Sequence, residues 1–255
     1  MEADDERIIF ALDFSSFHAA RRAAVVVRDA VGMLKIGLEL FVEAGPDALA
    51  IGQEVARPIF LDLKLHDIPE TVDRAVARVS GLGAHMVTVH ASGGPAMLRR
   101  AVERAKNEGR GTQIAAVTVL TSLDGEDLRK LGVTGDVIAH ACRLARVAFD
   151  EGVRAFVCSP QEVSAMRKEL GRDVTLITPG VRPSGPSGIS SAPDAPESPA
   201  SRRDDQKRVT TAEHAIREGA DWVVVGRPIR DATDPLAAAR AISAEIHEAR
   251  KRRSL

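Results

Sequence analysis

Eight short apolar runs, rich in β-branched residues, recur along the chain, with longer stretches between them. The runs are RIIFALD (7–13), MLKIG (33–37), PIFLDLK (58–64), HMVTVH (85–90), QIAAVTVL (113–120), RAFVCS (154–159), VTLITPG (174–180) and WVVVGRP (222–228). The intervening segments, such as FHAARRAAVVVRDAV (17–31), PETVDRAVARVSGLG (69–83) and GDVIAHACRLARVAFDEG (135–152), carry apolar residues at helical spacing. PLAAARAISAEIHEARK (235–251) repeats the helical pattern after the last run. Strand and helix signals in strict alternation specify an α/β chain with a parallel sheet. Eight such units in 255 residues match a (β/α)8 TIM barrel, which needs about 250 residues. The alternative is an open doubly wound sheet, but no GxGxxG follows the first run to support a dinucleotide fold. A single barrel domain over residues 1–255 is expected.

Composition narrows the function classes. Acidic and basic residues number 36 and 35, so no net field draws the chain to nucleic acid or a membrane surface. Tyr is absent and there is one Trp, leaving few platforms on which bases could stack. The opening MEADDERIIF is acidic and runs directly into a strand pattern, unlike a signal peptide. No apolar run approaches the roughly 18 residues of a membrane span. Cys142 and Cys158 lack metal spacing and read as buried small side chains in a reducing compartment. A cytoplasmic protein is therefore expected. The basic tail EARKRRSL suits a solvated helix end.

Residues 183–205, PSGPSGISSAPDAPESPASRRDD, break the rhythm. Their Pro, Ser, Gly and Ala content suits an interdomain linker. The roughly 50 residues that follow could not bury a core of their own. A long loop after the seventh strand, placed as a lid over the barrel mouth, is the better reading.

The stretch FLDLKLHDIPET (60–71) starts as a buried strand and then alternates charge. Strands covered on both faces are normally continuous apolar runs, and unpaired buried charges cost several kcal/mol. In a strand, residues i and i+2 share a face, so Asp62 and Lys64 point together. Asp62 and Asp67 flanking Lys64 would keep one another ionised. Other strands also end in polar groups: Asp13, Lys35, His90, Thr121-Ser122 and Gly226-Arg227. Strand C-terminal ends are where barrel active sites are built. Gly226 lets backbone approach a ligand, Arg227 can grip phosphate through paired N–H groups, and loops after strands 7 and 8 are the usual phosphate site. Gln206, in DDQKRV (204–209), and the TPGVRPSG stretch (178–185), with Arg182, add polar groups near that site.

The pieces ALDF (11–14), LKIGLELF (34–41), FLDLKLHDIPET (60–71), VTVHASGG (87–94), AVTVLTSL (116–123), VCSPQEV (157–163), TPGVRPSG (178–185), DQKRV (205–209) and GADWVVVGRPI (219–229) together resemble the orotidine 5'-phosphate decarboxylases over nearly the whole chain. The resemblance implies loss of CO2 from pyrimidine C6 to give UMP, the last step of de novo pyrimidine nucleotide synthesis, with no cofactor and no metal. It implies Lys64 as the acid that protonates C6 and Asp62 beside the substrate carboxylate. Asp67 would come from the other subunit of a homodimer, as would Ile68 and Thr71. Asp13 and Lys35 would bind ribose hydroxyls, Ser122 the pyrimidine, and Gln206, Gly226 and Arg227 the phosphate, with Arg182 a further substrate contact. His90 receives no chemical role. The loop 183–205 looks longer than the family norm, and Thr210-Thr211 stands where many members have Thr-Pro.

Two other readings of these residues differ in kind. A sugar-phosphate lyase of the same barrel superfamily would share D-x-K-x-x-D but stabilise an enediolate with magnesium. A non-catalytic phosphate-binding barrel could keep Gly226 and Arg227 but would have no need of Asp13, Lys35, Asp62, Lys64 and Asp67 together.

Overall fold

The computed structural model describes residues 7–182 and 210–253. The loop expected at 183–205, and Gln206, lie outside the described residues. Among the described residues there are ten strands: β1 (Ile8–Ala11), β2 (Met33–Gly37), β3 (Ile59–Leu65), β4 (Met86–His90), β5 (Gln113–Val117), β6 (Ala155–Val157), β7 (Thr175–Thr178), β8 (Val181–Arg182), β9 (Thr210–Thr211) and β10 (Trp222–Val225). Eight of them, β1 to β7 and β10, close into one parallel barrel, as the alternating pattern requires. β8 and β9 pair separately as a two-stranded ribbon.

Every sequence run coincides with a barrel strand, although β3 runs one residue past its run to Leu65 and several other strands end sooner than their runs. The first ends at Ala11 rather than 13, the fifth at Val117 rather than 120, and the last at Val225 rather than 228. Apolar content continues past the ladder because the emerging loops still cover the barrel mouth. The last run in fact turns into a short helix, Arg227–Arg230.

Helices start where proline or a polar cap permits. Pro69 and Pro95 occupy the first helical turn, where the missing N–H costs nothing. Ser16 and Asp136 accept from backbone N–H groups of the helices they precede, Phe17–Val27 and Val137–Asp150. Gly109 and Gly219 end theirs in the left-handed conformation.

Strand alternation sorts the core into two shells. Ile9, Met33, Phe60, Met86, Ala115, Ala155, Ile177 and Val224 fill the barrel interior. Ile8, Phe10, Leu34, Leu61, Val87 and Phe156 face outward to pack under the helices. The inward parity of Met33 carries on to Lys35, and that of Phe60 to Asp62. The same alternation that builds the core therefore turns these charges inward, one layer above it. β3 passes from buried to half-buried along its length as it reaches the mouth.

Candidate active site

Three adjacent strands deliver an alternating row of charge. Lys35 on β2 donates to Asp13 Oδ1 at 3.0 Å and lies 3.7 Å from Asp62 Oδ2. Asp62 in turn holds the Lys64 ammonium through both carboxylate oxygens, each at 2.9 Å. The order is Asp13, Lys35, Asp62, Lys64. Register explains the reach: Ala11 pairs with Lys35, and Gly37 with Asp62, so the charged side chains rise from neighbouring positions. A Cβ on Gly37 would stand 3.1 Å from Lys35 Nζ and 3.3 Å from Asp13 Oδ1, so glycine leaves that ion pair its room.

Burial and charge oppose each other here, and charge wins. Burial alone would discharge Lys35, but Asp13 and Asp62 outweigh it and hold its pKa above the ordinary lysine value. Burial would likewise protonate Asp62; Lys35, Lys64 and the hydrogen bond from Thr88 hold its pKa below the ordinary carboxylate value. At neutral pH both are charged. At the end of β4, burial first, then His66 and Lys64, lower the pKa of His90, with Asp62 opposing them.

Lys64 does not reach Asp62 by regular pleating. Its φ is 51°, in the left-handed region that non-glycine residues seldom occupy. The β3–β4 ladder shifts there: Leu61 pairs with Val87, but Leu65 pairs with Val89. Residues 62 to 64 thus oppose Thr88 alone, which is a bulge that re-aims a side chain. Thr88 is fully buried. Its hydroxyl accepts from Lys64 N at 2.7 Å and donates to Asp62 Oδ1 at 3.0 Å.

A cavity of about 700 Å³ opens over this row, within the range usual for small-molecule sites. Asp13, Lys35, Asp62, Lys64, Ser122, Gly226 and Arg227 all line it, so seven of the residues expected from sequence converge on one space. Ala11, Phe60, Val117, Val119 and Val224 supply apolar wall. A Cβ at Gly226 would meet Ala11 and Asp13 only at ordinary contact distances of 3.5 and 3.6 Å. The protein itself does not demand glycine there, and its absent side chain leaves space for a ligand. Arg230, not anticipated from sequence, also lines the cavity and donates to the Asp13 carbonyl at 2.9 Å.

Taken by itself, the D-x-K-x-x-D spacing would put both carboxylates on one ammonium, whereas the resemblance gives Asp67 to the other subunit's site; within this chain only Asp62 touches Lys64. β3 ends at Leu65, and the chain turns outward into the helix Pro69–Gly81. Asp67 is exposed, and its Oδ1 accepts from the next backbone N–H, that of Ile68, at 2.6 Å. Ile68, at the helix N-cap, and Thr71, in the helix's first turn, do not line the cavity. Arg182 is placed in β8, but its side chain, like Gln206, is outside the described residues. Among the described residues no group of three or more His, Cys, Asp or Glu side chains is arranged to hold a metal ion. Among them, too, no helix is long and apolar enough to cross a membrane.

A closed parallel barrel with ionised side chains converging at its C-terminal mouth defines a (β/α)8-barrel enzyme whose site is built from charge. The chain belongs to the Orotidine 5'-phosphate decarboxylase / HUMPS family, whose profile matches residues 6–242. It is 48% identical to the orotidine 5'-phosphate decarboxylase of Anaeromyxobacter sp. (strain K), over 94% of this chain and 98% of that one. Identity to the enzyme of the same name from Thermobifida fusca is 47%, over 94% and 96% of the two chains. The crystal structure of orotidine 5'-phosphate decarboxylase from Lactobacillus acidophilus superposes with a TM-score of 0.77 at 31% identity, covering 95% of this chain and 99% of that one.

Proposed function

We propose that this chain, acting as one barrel domain, converts orotidine 5'-phosphate to UMP and CO2 without a cofactor. The observation that carries the reading is the row Asp13–Lys35–Asp62–Lys64, ending in an ammonium gripped by both oxygens of Asp62 at the cavity wall. Breaking the C6–carboxylate bond leaves an electron pair on C6 with no good sink in the ring. A fixed ammonium stabilises that charge as it develops and then transfers a proton to C6. CO2 departs, and the neutral Lys64 amine regains its proton from solvent. Asp62, held ionised by two lysines, keeps the Lys64 side chain fixed in place until that moment. Asp13 and Lys35 suit ribose hydroxyls, Ser122 the pyrimidine, and Gly226 with Arg227, Arg182 and Gln206 the phosphate end.

The exposed position of Asp67 supports a homodimer in which Asp67, Ile68 and Thr71 complete the partner's site. Apolar side chains stand exposed on the neighbouring units: Leu38 at 54% and Val42 at 81% on one helix face, and Ile68 at 66% beside Asp67. Exposed apolar groups of this kind, on the helix after β2 and the turn after β3, suit an interaction surface. Charge balance and the absence of a membrane-spanning pattern fit a cytoplasmic enzyme with a small-molecule substrate, not a nucleic-acid partner.

The test is a spectrophotometric assay of orotidine 5'-phosphate in excess EDTA, with wild type and Lys64→Ala side by side. Wild-type turnover that survives chelation and vanishes in the variant is expected. Activity appearing only with magnesium and a sugar phosphate would overturn the reading.

A further inference from the structure

We infer that Thr88 is a positioning residue that sets both the aim of Lys64 and the charge-bearing geometry of Asp62 through one hydroxyl. This inference rests on the decarboxylase reading and assigns a role to a residue outside the charged row. The bulge in β3 leaves the Lys64 N–H without a ladder partner on β4, because Leu61 and Leu65 take the pairings with Val87 and Val89. A buried orphan N–H is costly, and the Thr88 oxygen accepts it at 2.7 Å. That fixes the hydroxyl proton. An N–H can only donate, so the Thr88 hydroxyl acts as acceptor there and turns its own hydrogen to Asp62 Oδ1, 3.0 Å away.

The arrangement has a directional consequence. An ionised Asp62 accepts at both oxygens; a proton on either one would point at a group that already donates there, Thr88 or Lys64 at Oδ1 and Lys64 at Oδ2. Thr88 therefore favours the charged carboxylate, and the backbone N–H of Lys64 enforces that preference. The same hydroxyl anchors the left-handed backbone at Lys64, φ 51°, which aims the ammonium. The other titratable groups that bear on Asp62 are the charged Lys35 from β2 and Lys64 on its own strand, and His90 from β4, whose pKa burial lowers. None of these touches the Lys64 backbone in place of Thr88.

Thr88→Ser, Thr88→Ala and Thr88→Val separate the hydroxyl from the methyl. Each is assayed for kcat and KM with orotidine 5'-phosphate across pH, beside wild type, with folding checked by circular dichroism. Ala and Val are expected to lose about ten- to a hundredfold in kcat, the scale of a lost hydrogen bond to a charged group, with KM changing much less. Their acid limb should move to higher pH, because Asp62 loses a donor that favours its ionised form. Ser should stay within about threefold of wild type, since it keeps both hydrogen bonds. Equal losses in Ser and Ala, or an unmoved acid limb in Ala, would overturn the assignment. If Val fails to fold, the Ser–Ala comparison decides alone. Absence of wild-type turnover in the same assay would instead count against the decarboxylase reading itself.

Discussion

Replacing Lys35 with methionine tests whether the charged row holds the site together. Methionine keeps the apolar stem and removes only the ammonium. The Lys35–Asp62 contact at 3.7 Å joins side chains that are 11% and 13% exposed. At an effective dielectric near 20, such a separation corresponds to about 4 kcal/mol of attraction. The contact with Asp13 is shorter, but Asp13 is 46% exposed, so solvent screening reduces it to roughly 1 kcal/mol. Against these stands the relief of no longer burying an ammonium. Asp62 also keeps Lys64 as a partner. The net loss should therefore fall near the low end for a broken buried pair, about 3 kcal/mol.

The pH dependence has a definite sign. Asp62 has a depressed folded pKa, so its contribution is present above the unfolded value of about 3.9 and is lost as pH falls through the folded value. Lys35 has a raised folded pKa, so its contribution is present below about 10.4 and is lost as pH rises through the folded value. The gap between wild type and Lys35→Met should be full at neutral pH and narrow toward both extremes. Urea unfolding at about pH 7 and at about pH 2, well below the unfolded carboxylate value, measures it. A variant within about 0.5 kcal/mol of wild type at neutral pH, or a loss independent of pH, would refute the reasoning, because the first leaves no coupling and the second points to packing.

Lys64→Ala should abolish turnover, by at least about a thousandfold, without changing the circular dichroism spectrum. Lys64→Gly should be equally inactive yet about 1 kcal/mol more stable than Lys64→Ala, because position 64 sits at φ 51°; matching urea midpoints would contradict this. Arg227→Ala should raise KM by about tenfold or more with a smaller effect on kcat, the mark of a lost phosphate grip. An unchanged KM would remove Arg227 from the phosphate site. Mixing inactive Lys64→Ala with inactive Asp67→Ala should restore up to about a quarter of wild-type activity, since half the dimers are then mixed and each carries one intact site. No recovery after verified subunit exchange would place Asp67 outside the partner's site.

The barrel was legible because its signals are local. Period-two and period-3.6 patterns depend on neighbours in the chain, and they located all eight barrel strands. Asp13, Lys35, Asp62, Lys64, Ser122, Gly226 and Arg227 were legible too, since each falls in the C-terminal half of a barrel strand or in the loop that follows it. Strand ends were less legible, because loop residues over the mouth remain apolar after hydrogen bonding stops. Gly37 and Arg230 escaped notice. The one acts by leaving space and the other through a backbone carbonyl 217 residues away in sequence.

By itself the sequence determined the alternating architecture, the inward parity of Lys35 and Asp62, and the set of charges available at the barrel mouth. Pleat and helix periods carry that information residue by residue. Only the tertiary structure decided how Lys64 is delivered to Asp62 and where Asp67 goes. The bulge opposite Thr88 turns Lys64 back onto Asp62, and the turn after Leu65 carries Asp67 out to solvent. Both outcomes depend on how β3 pairs with β4 and where the next helix begins. No linear spacing encodes them, because a ladder shift is a property of two strands together.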